Sequence, residues 1–153
     1  MISFLVQDVS VSLLTQISRH PHINLTVQSS RYCDMGKRDF VVPPFLKDEH
    51  IKYYKDGISI IMEFYAAWRE GKGYTDKEQQ EISKMFLPKA STVDMVVSGN
   101  YQAMYDFLQL RLCKRAEWEI RELASQMAGL CVSRMSVIFK NIGPKCDTCK
   151  EPC

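Results

Sequence analysis

Between the Pro43-Pro44 pair and Gly71 the chain carries an unbroken helical signal, and no other feature limits its possible folds as much. Ile58, Ile61, Met62 and Tyr65 recur at three- and four-residue intervals. That spacing places side chains on one helix face, so a helix is predicted over Asp48 to Glu70, ended by Gly71 to Gly73. Thr75-Asp76-Lys77-Glu78 is a capping box: hydroxyl and carboxylate each take up a free backbone N–H, which starts a second helix over Asp76 to Phe86. Pro88 stops it. Asn100 to Cys113 is amphipathic, with Tyr101, Met104, Tyr105 and Leu108 on one face. Lys114 to Lys140 reads as the longest helix, with a stripe of Ile120, Leu123, Met127, Cys131, Met135 and Ile138. In a chain with eight methionines such a stripe is core material rather than a cofactor box.

Strands occupy the remaining apolar stretches. Ile2 to Val11 is rich in Val, Phe and Leu; Ile23, Leu25 and Val27 alternate with polar residues; Thr92 to Ser98 is β-rich. Ser10 or Ser12 can cap a short helix carrying Gln16 and Arg19 on neighbouring turns. Cys33 to Pro44 reads as a linker, punctuated by Gly36 and the proline pair. The predicted class is α+β: one helix-rich domain with a small β-sheet over residues 1–143, followed by a cysteine-containing tail over 144–153. With 153 residues, 46% of them hydrophobic, one core of useful size is available.

Bulk properties exclude several functions. A net charge of +2 lacks the concentrated basic face of a nucleic-acid binder. No apolar run is long enough to span a bilayer. The N-terminus has no basic n-region and contains Asp8, so it does not read as a signal peptide, and a cytoplasmic location is expected. The Asn24-Leu25-Thr26 sequon then carries no meaning, and the six cysteines read as thiols. Three of them, Cys146, Cys149 and Cys153, form C-x-x-C-x-x-x-C, one ligand short of a tetrahedral zinc site. His20 and His22 form an H-x-H whose rings would share a face on a strand, with no third ligand at hand. No metal is assigned.

The chemistry concentrates in Gln16 to Tyr32, QISRHPHINLTVQSSRY. Arg19 and Arg31 offer paired planar donors suited to phosphate oxygens, and Ser29 and Ser30 add hydroxyls. The plain alternative is a solvated turn with capping side chains. This stretch resembles the signature of the flavin-dependent thymidylate synthases: Arg-His-Arg, seven residues, Ser, then a small residue, Arg and Tyr, with a Gln shortly before. Gln16, Arg19, His20, Ser29, Arg31 and Tyr32 fall in those places; Pro21 stands at the second arginine and Val27 at an acidic position. Two further stretches match in order. Glu81 to Pro88 follows the family's Glu-x-Ala-Arg-x-x-Leu-Pro, with Lys84 for Arg. Asn100, Leu110-Arg111 and Ala116-Glu117-Trp118-Glu119-Ile120 follow its helix-opening Asn, Leu-Arg and Ala-Gln-Trp-Glu-Ile. Family chains are longer, mostly ahead of the signature, so this one reads as a diverged, N-terminally short member.

The resemblance implies methylation of dUMP by methylenetetrahydrofolate, with FAD as cofactor, NADPH as reductant and no protein nucleophile, the protein supplying binding and electrostatics. It implies that Arg111 polarises the uracil ring, against the plainer reading of a helix C-terminal arginine favoured by the dipole. It implies dUMP binding by Gln16, Ser29, Ser30, Arg31, Lys84 and Arg111. FAD contacts fall on Arg19, His20, Asn100, Gln102, Asp106 and Arg115. Lys84 keeps the usual charge but loses the bidentate fork. Gln102 and Asp106 stand where the family tends to have Arg and Asn, and Arg115 where it has His. Family members are homotetramers whose active sites lie between subunits, which predicts the same here. Two other readings stay open: a related pyrimidine-nucleotide one-carbon transferase for modified-base synthesis, and a non-catalytic flavin- or nucleotide-binding homologue or subunit.

Overall fold

The strand expected at the N-terminus forms as β1, Ile2–Ser10, and leads straight into a two-turn helix, α1, Val11–Ile17. The computed structural model describes residues 1–70 and 73–146. Gly71, Cys149 and Cys153 lie outside them, and with them the ending of the first long helix at Gly71 and the cysteine motif of the tail. The chain continues through β2 (Ile23–Val27), a 3-10 turn (Met35–Lys37), α2 (Asp48–Arg69), α3 (Asp76–Ser83) with a 3-10 extension (Lys84–Phe86), β3 (Thr92–Gly99), α4 (Tyr101–Arg111), α5 (Trp118–Arg134) and α6 (Ser136–Phe139). The strands form one sheet in the order β1-β3-β2. This is the helix-rich α+β class with a small sheet that the sequence predicts. Among the described residues no helix is long and apolar enough to cross a membrane.

The described residues fall into two compact units. The first contains Met1–Val6, Leu13–Thr26 and the chain from Met95 onward. Its core is built from Leu13 and Ile17 of α1, Val97 of β3, Met104, Phe107 and Leu108 of α4, Ile120 and Met127 of α5, and Phe139 of α6, all at most 2% exposed. Each such side chain contributes about 1.5–3 kcal/mol by leaving water. On α4 the buried face is Ala103, Met104, Phe107 and Leu108; the predicted face is rotated, because Tyr101 is 43% exposed at the first helical position. Asn100 caps this helix, its side-chain oxygen accepting the Ala103 N–H at 2.8 Å. The helix predicted over Lys114 to Lys140 is two helices. Met135 leaves helical geometry at φ −141°, ψ 48°, and the chain re-enters a helix that buries Phe139 completely. Ile138 is accordingly exposed, and α2 is the longest helix among the described residues.

The second unit contains Gln7–Ser12 and Val27–Asp94. The capping box of α3 forms with both halves present. The final turn before Pro88 tightens to 3-10. On α2 only Ile58 and Tyr65 of the predicted stripe are buried; Ile61 is 40% exposed. The Tyr65 hydroxyl accepts the Met35 N–H at 3.2 Å and an Arg69 N–H at 3.0 Å. The segment read as a linker therefore contains a fixed turn, capped by Asp34, whose carboxylate accepts the Gly36 N–H. Phe86 stacks between Phe64 and Trp68, clamping the 3-10 extension to α2. Arg38 grips Asp94 with two hydrogen bonds, 3.0 and 2.6 Å, and reaches Asp8 at 3.4 Å. Asp8 itself adopts φ +54° within β1 and donates its N–H to the same Asp94 carboxylate.

Candidate functional site

The first unit gathers the polar residues of α1, the loop after it, α4 and the start of α5. Helix α1 ends at Ile17, earlier than Arg19 requires, so Arg19 sits in the following turn, exposed, with its N–H on the Gln16 carbonyl. Pro21 then breaks any continuation. His22 takes φ +63°, which places the H-x-H in a turn rather than on a strand and removes the shared-face geometry a metal pair would need. Among the described residues no cluster of metal-ligating side chains forms. The turn lies close against the end of β3: a Cβ on Gly99 would meet the Ile23 side chain at 3.2 Å and the His22 carbonyl at 3.4 Å. That approach brings His20 to His22 beside the first turn of α4.

Arg111, in the last turn of α4, is the hub. Its Nε donates to His20 Nε2 at 2.7 Å, and its Nη2 donates to the Gln16 carbonyl at 3.3 Å. Burial, and after it the charge of Arg19, push the Arg111 pKa down, while Glu117 opposes them. His20 stands edge-on to Phe107 at 4.9 Å. Burial and then the Arg111 charge hold its pKa below the ordinary imidazole value. His20 is therefore a neutral acceptor, its other ring nitrogen bearing the proton. Stability follows: as pH falls below about 6.5, the unfolded chain binds a proton that the folded imidazole resists, so the fold loses stability there. An NMR titration should place the His20 midpoint below 6.5 in the intact protein and higher in Arg111→Ala; a midpoint unmoved by that substitution would break the assigned contact.

Glu117 was not singled out from the sequence. It replaces the Gln of the family block and accepts the Gln16 amide at 2.7 Å. A carboxylate only accepts, so the amide nitrogen must face Glu117 and the Gln16 oxygen is turned away. The departure from Gln was the available signal. Beside this array His20, Pro21, His22, Asn100, Gln102, Ala103, Asp106, Phe107 and Leu110 line a cleft of about 160 Å³. Four of the six residues matched to FAD contacts meet here: His20, Asn100, Gln102 and Asp106. Arg19 and Arg115 do not line it. The Gln102 amide donates to Asp106 at 2.9 Å.

The other matched residues belong to the second unit. Ser29, Ser30 and Arg31 form a turn in which the Tyr32 and Cys33 N–H groups donate to the Ser29 carbonyl, and the Arg31 N–H to the Ser29 hydroxyl. Arg31 pairs with Glu81 at 3.3 Å, and its Nε is buried with no hydrogen-bond partner among the described residues. Lys84 begins the 3-10 extension, three residues after Glu81.

A family model described as thymidylate synthase complementing protein matches residues 1–135. The chain belongs to this family. Within it, the flavin-dependent thymidylate synthase of Nitratidesulfovibrio vulgaris is 31% identical over 150 residues, covering 95% of this chain and 61% of its own length. That of Thermococcus onnurineus is 30% identical over 153 residues, with 95% and 61% covered. The chain thus spans about three fifths of the length of these relatives. Among solved structures, a flavin-dependent thymidylate synthase of Helicobacter pylori complexed with FAD and dUMP superposes with a TM-score of 0.72 at 19% identity, over 92% of this chain and 72% of that one. The UMP/dUMP methylase PolB of Streptomyces cacaoi bound with 5-Br dUMP gives 0.70 at 19%, over 90% and 68%. These likenesses carry the thymidylate synthase complementing protein fold over nearly the whole chain.

Proposed function

We propose that the chain is a flavin-dependent thymidylate synthase: a methyltransferase converting dUMP to dTMP with methylenetetrahydrofolate as carbon donor and NADPH as reductant. The observation that carries the reading is Arg111, its guanidinium fixed by His20 and the Gln16 carbonyl at a cleft lined by flavin-matched residues. FAD supplies the hydride when bound. The cleft suits part of a dinucleotide: Phe107 and Leu110 are apolar, and the α4 N-terminus presents N–H groups and a partial positive charge suited to a phosphate. Its volume is below the roughly 300–1,000 Å³ of pockets that bury a whole ligand, which supports sites shared between subunits of a homotetramer.

In this reading Arg111 holds its charge against the pyrimidine edge and stabilises the negative charge that develops as C5 becomes nucleophilic. Neutral His20 keeps the guanidinium oriented without adding a second cation. Gln16, fixed by Glu117, offers its oxygen to an N–H of the base rather than to phosphate. Ser29, Ser30, Arg31 and Lys84 hold the nucleotide phosphate, the spare Nε donor of Arg31 supporting an anion there. Arg19, Asn100, Gln102, Asp106 and Arg115 complete the flavin contacts, and the protein works in the cytoplasm. Conversion of dUMP to dTMP that requires FAD, NADPH and methylenetetrahydrofolate together tests the proposal; no dTMP with all three present contradicts it. The non-catalytic subunit is the second reading, favoured by Asp106, whose carboxylate puts negative charge in the cleft where a flavin phosphate would lie.

A further inference from the structure

Helix α4 ends at Arg111, so its last carbonyls have no partner within the helix. In a longer helix the Gln109 carbonyl would take the Cys113 N–H, four residues on. It takes the Lys145 N–H instead, at 3.3 Å. The chain that follows α6 therefore docks by its backbone on the end of α4, where a further helical turn would have been. The next residue, Cys146, turns back on Pro144, its N–H donating to the Pro144 carbonyl at 2.8 Å. Cys113 and Cys146 are thus brought to the same end of α4, within the first unit. Cys113 is half-buried, Cys146 is exposed, and both are free thiols.

We propose that Cys113, Cys146, Cys149 and Cys153 bind one zinc ion, with Cys113 as the fourth ligand that the tail motif lacks. A structural zinc site takes four ligands in a tetrahedron, and its cysteine pairs are separated by two to four residues. Cys149 and Cys153 lie outside the described residues and enter through their spacing in the sequence, two residues after Cys146 and three after Cys149. The fourth ligand of such a site comes from elsewhere in the chain, and the Gln109–Lys145 contact brings Cys113 to the motif's first cysteine. The charges agree. Four thiolates around Zn²⁺ leave a net charge of −2, and Cys113, Cys146 and Cys149 each have a lysine as a direct neighbour: Lys114, Lys145 and Lys150. Cations beside a thiol favour the thiolate, which is the form that binds metal. An all-sulfur donor set selects zinc over magnesium or calcium. Binding displaces the thiol protons, so affinity falls as pH falls. Bound zinc clasps the end of the chain to the turn two residues beyond Arg111. None of this depends on the catalytic reading.

Metal titration of the full chain, reduced and freed of metal, tests the proposal, with Zn²⁺ and Co²⁺ as probes. The expected result is one zinc per chain retained through gel filtration, and a cobalt form with the thiolate charge-transfer and strong visible bands of a tetrahedral sulfur site. Four thiols should become protected from a thiol reagent and reappear when the metal is chelated. Cys113→Ser should weaken zinc binding by more than the roughly 10–100-fold that an outer-shell partner is worth. It should also change the cobalt spectrum, while circular dichroism stays native. Cys33→Ser, which removes a cysteine outside the motif, should change neither. A reduced chain that binds no zinc overturns the proposal, as does one whose tail cysteines pair in a disulfide and take up no metal after reduction. Zinc affinity and a cobalt spectrum that Cys113→Ser leaves unchanged overturn the assignment of the fourth ligand.

Discussion

Replacing Arg111 with alanine should lower kcat for dTMP formation by about 10²–10³-fold, the effect of removing one pre-oriented donor from a developing charge. Fixed orientation of the guanidinium is what makes the effect large. The Arg111 side chain is fixed at two points, by an imidazole that accepts from Nε and by a backbone carbonyl that accepts from Nη2. Both partners are neutral, so the cationic charge is not cancelled by them. Arg111→Lys should rescue little, because an ammonium cannot engage two acceptors and still present a planar edge. Flavin retention should be nearly unchanged, since Arg111 is not among the residues lining the cleft. Equal loss of flavin and turnover would make Arg111 a structural residue instead.

The second large effect concerns stability. Asp94→Ala should cost about 2–3 kcal/mol, lowering Tm by about 5–10 °C. Asp94 receives two hydrogen bonds from Arg38 and one from the Asp8 N–H, and both charged side chains are about three-quarters buried. Removing the carboxylate strands a largely buried guanidinium whose Nε already lacks a partner among the described residues, leaving it only the more distant Asp8. The Arg38 hydrogen bonds, then the Asp8 N–H, hold the Asp94 pKa below the usual carboxylate range. For an acid with a depressed folded pKa, the stabilisation is full above the unfolded value near 3.9 and is lost as pH falls through the folded one. Asp94→Asn should therefore lose stability at neutral pH and show a shallower fall below pH 4. A Tm unchanged by either substitution would remove the network from the fold's supports.

The features legible in the sequence are those with a local cause. Thr75 and Glu78 sit three residues apart and satisfy each other's backbone, so α3 starts where the capping box says. Asn100 caps α4 for the same reason. The Asp48 start of α2 follows from periodicity beginning after the proline pair. The misread features have non-local causes. Asp8, Arg38 and Asp94 are separated by up to 86 residues, and nothing local marks them as partners. The break at Met135 turns on packing of Phe139, which is fully buried while its predicted neighbour Ile138 is not. The site shows the same division. His20, Asn100 and Arg111 could be placed by motif, whereas the Gln16–Glu117 contact joins residues 101 apart. It was visible only as an acid standing where the family has an amide.

The most direct test is the visible absorbance spectrum of the purified chain after incubation with FAD and gel filtration, before and after adding dUMP. The account predicts a flavin band that elutes with the protein and shifts with dUMP, since His20, Asn100 and the first turn of α4 line the cleft beside Arg111. A colourless protein that takes up no flavin and does not respond to dUMP would contradict it.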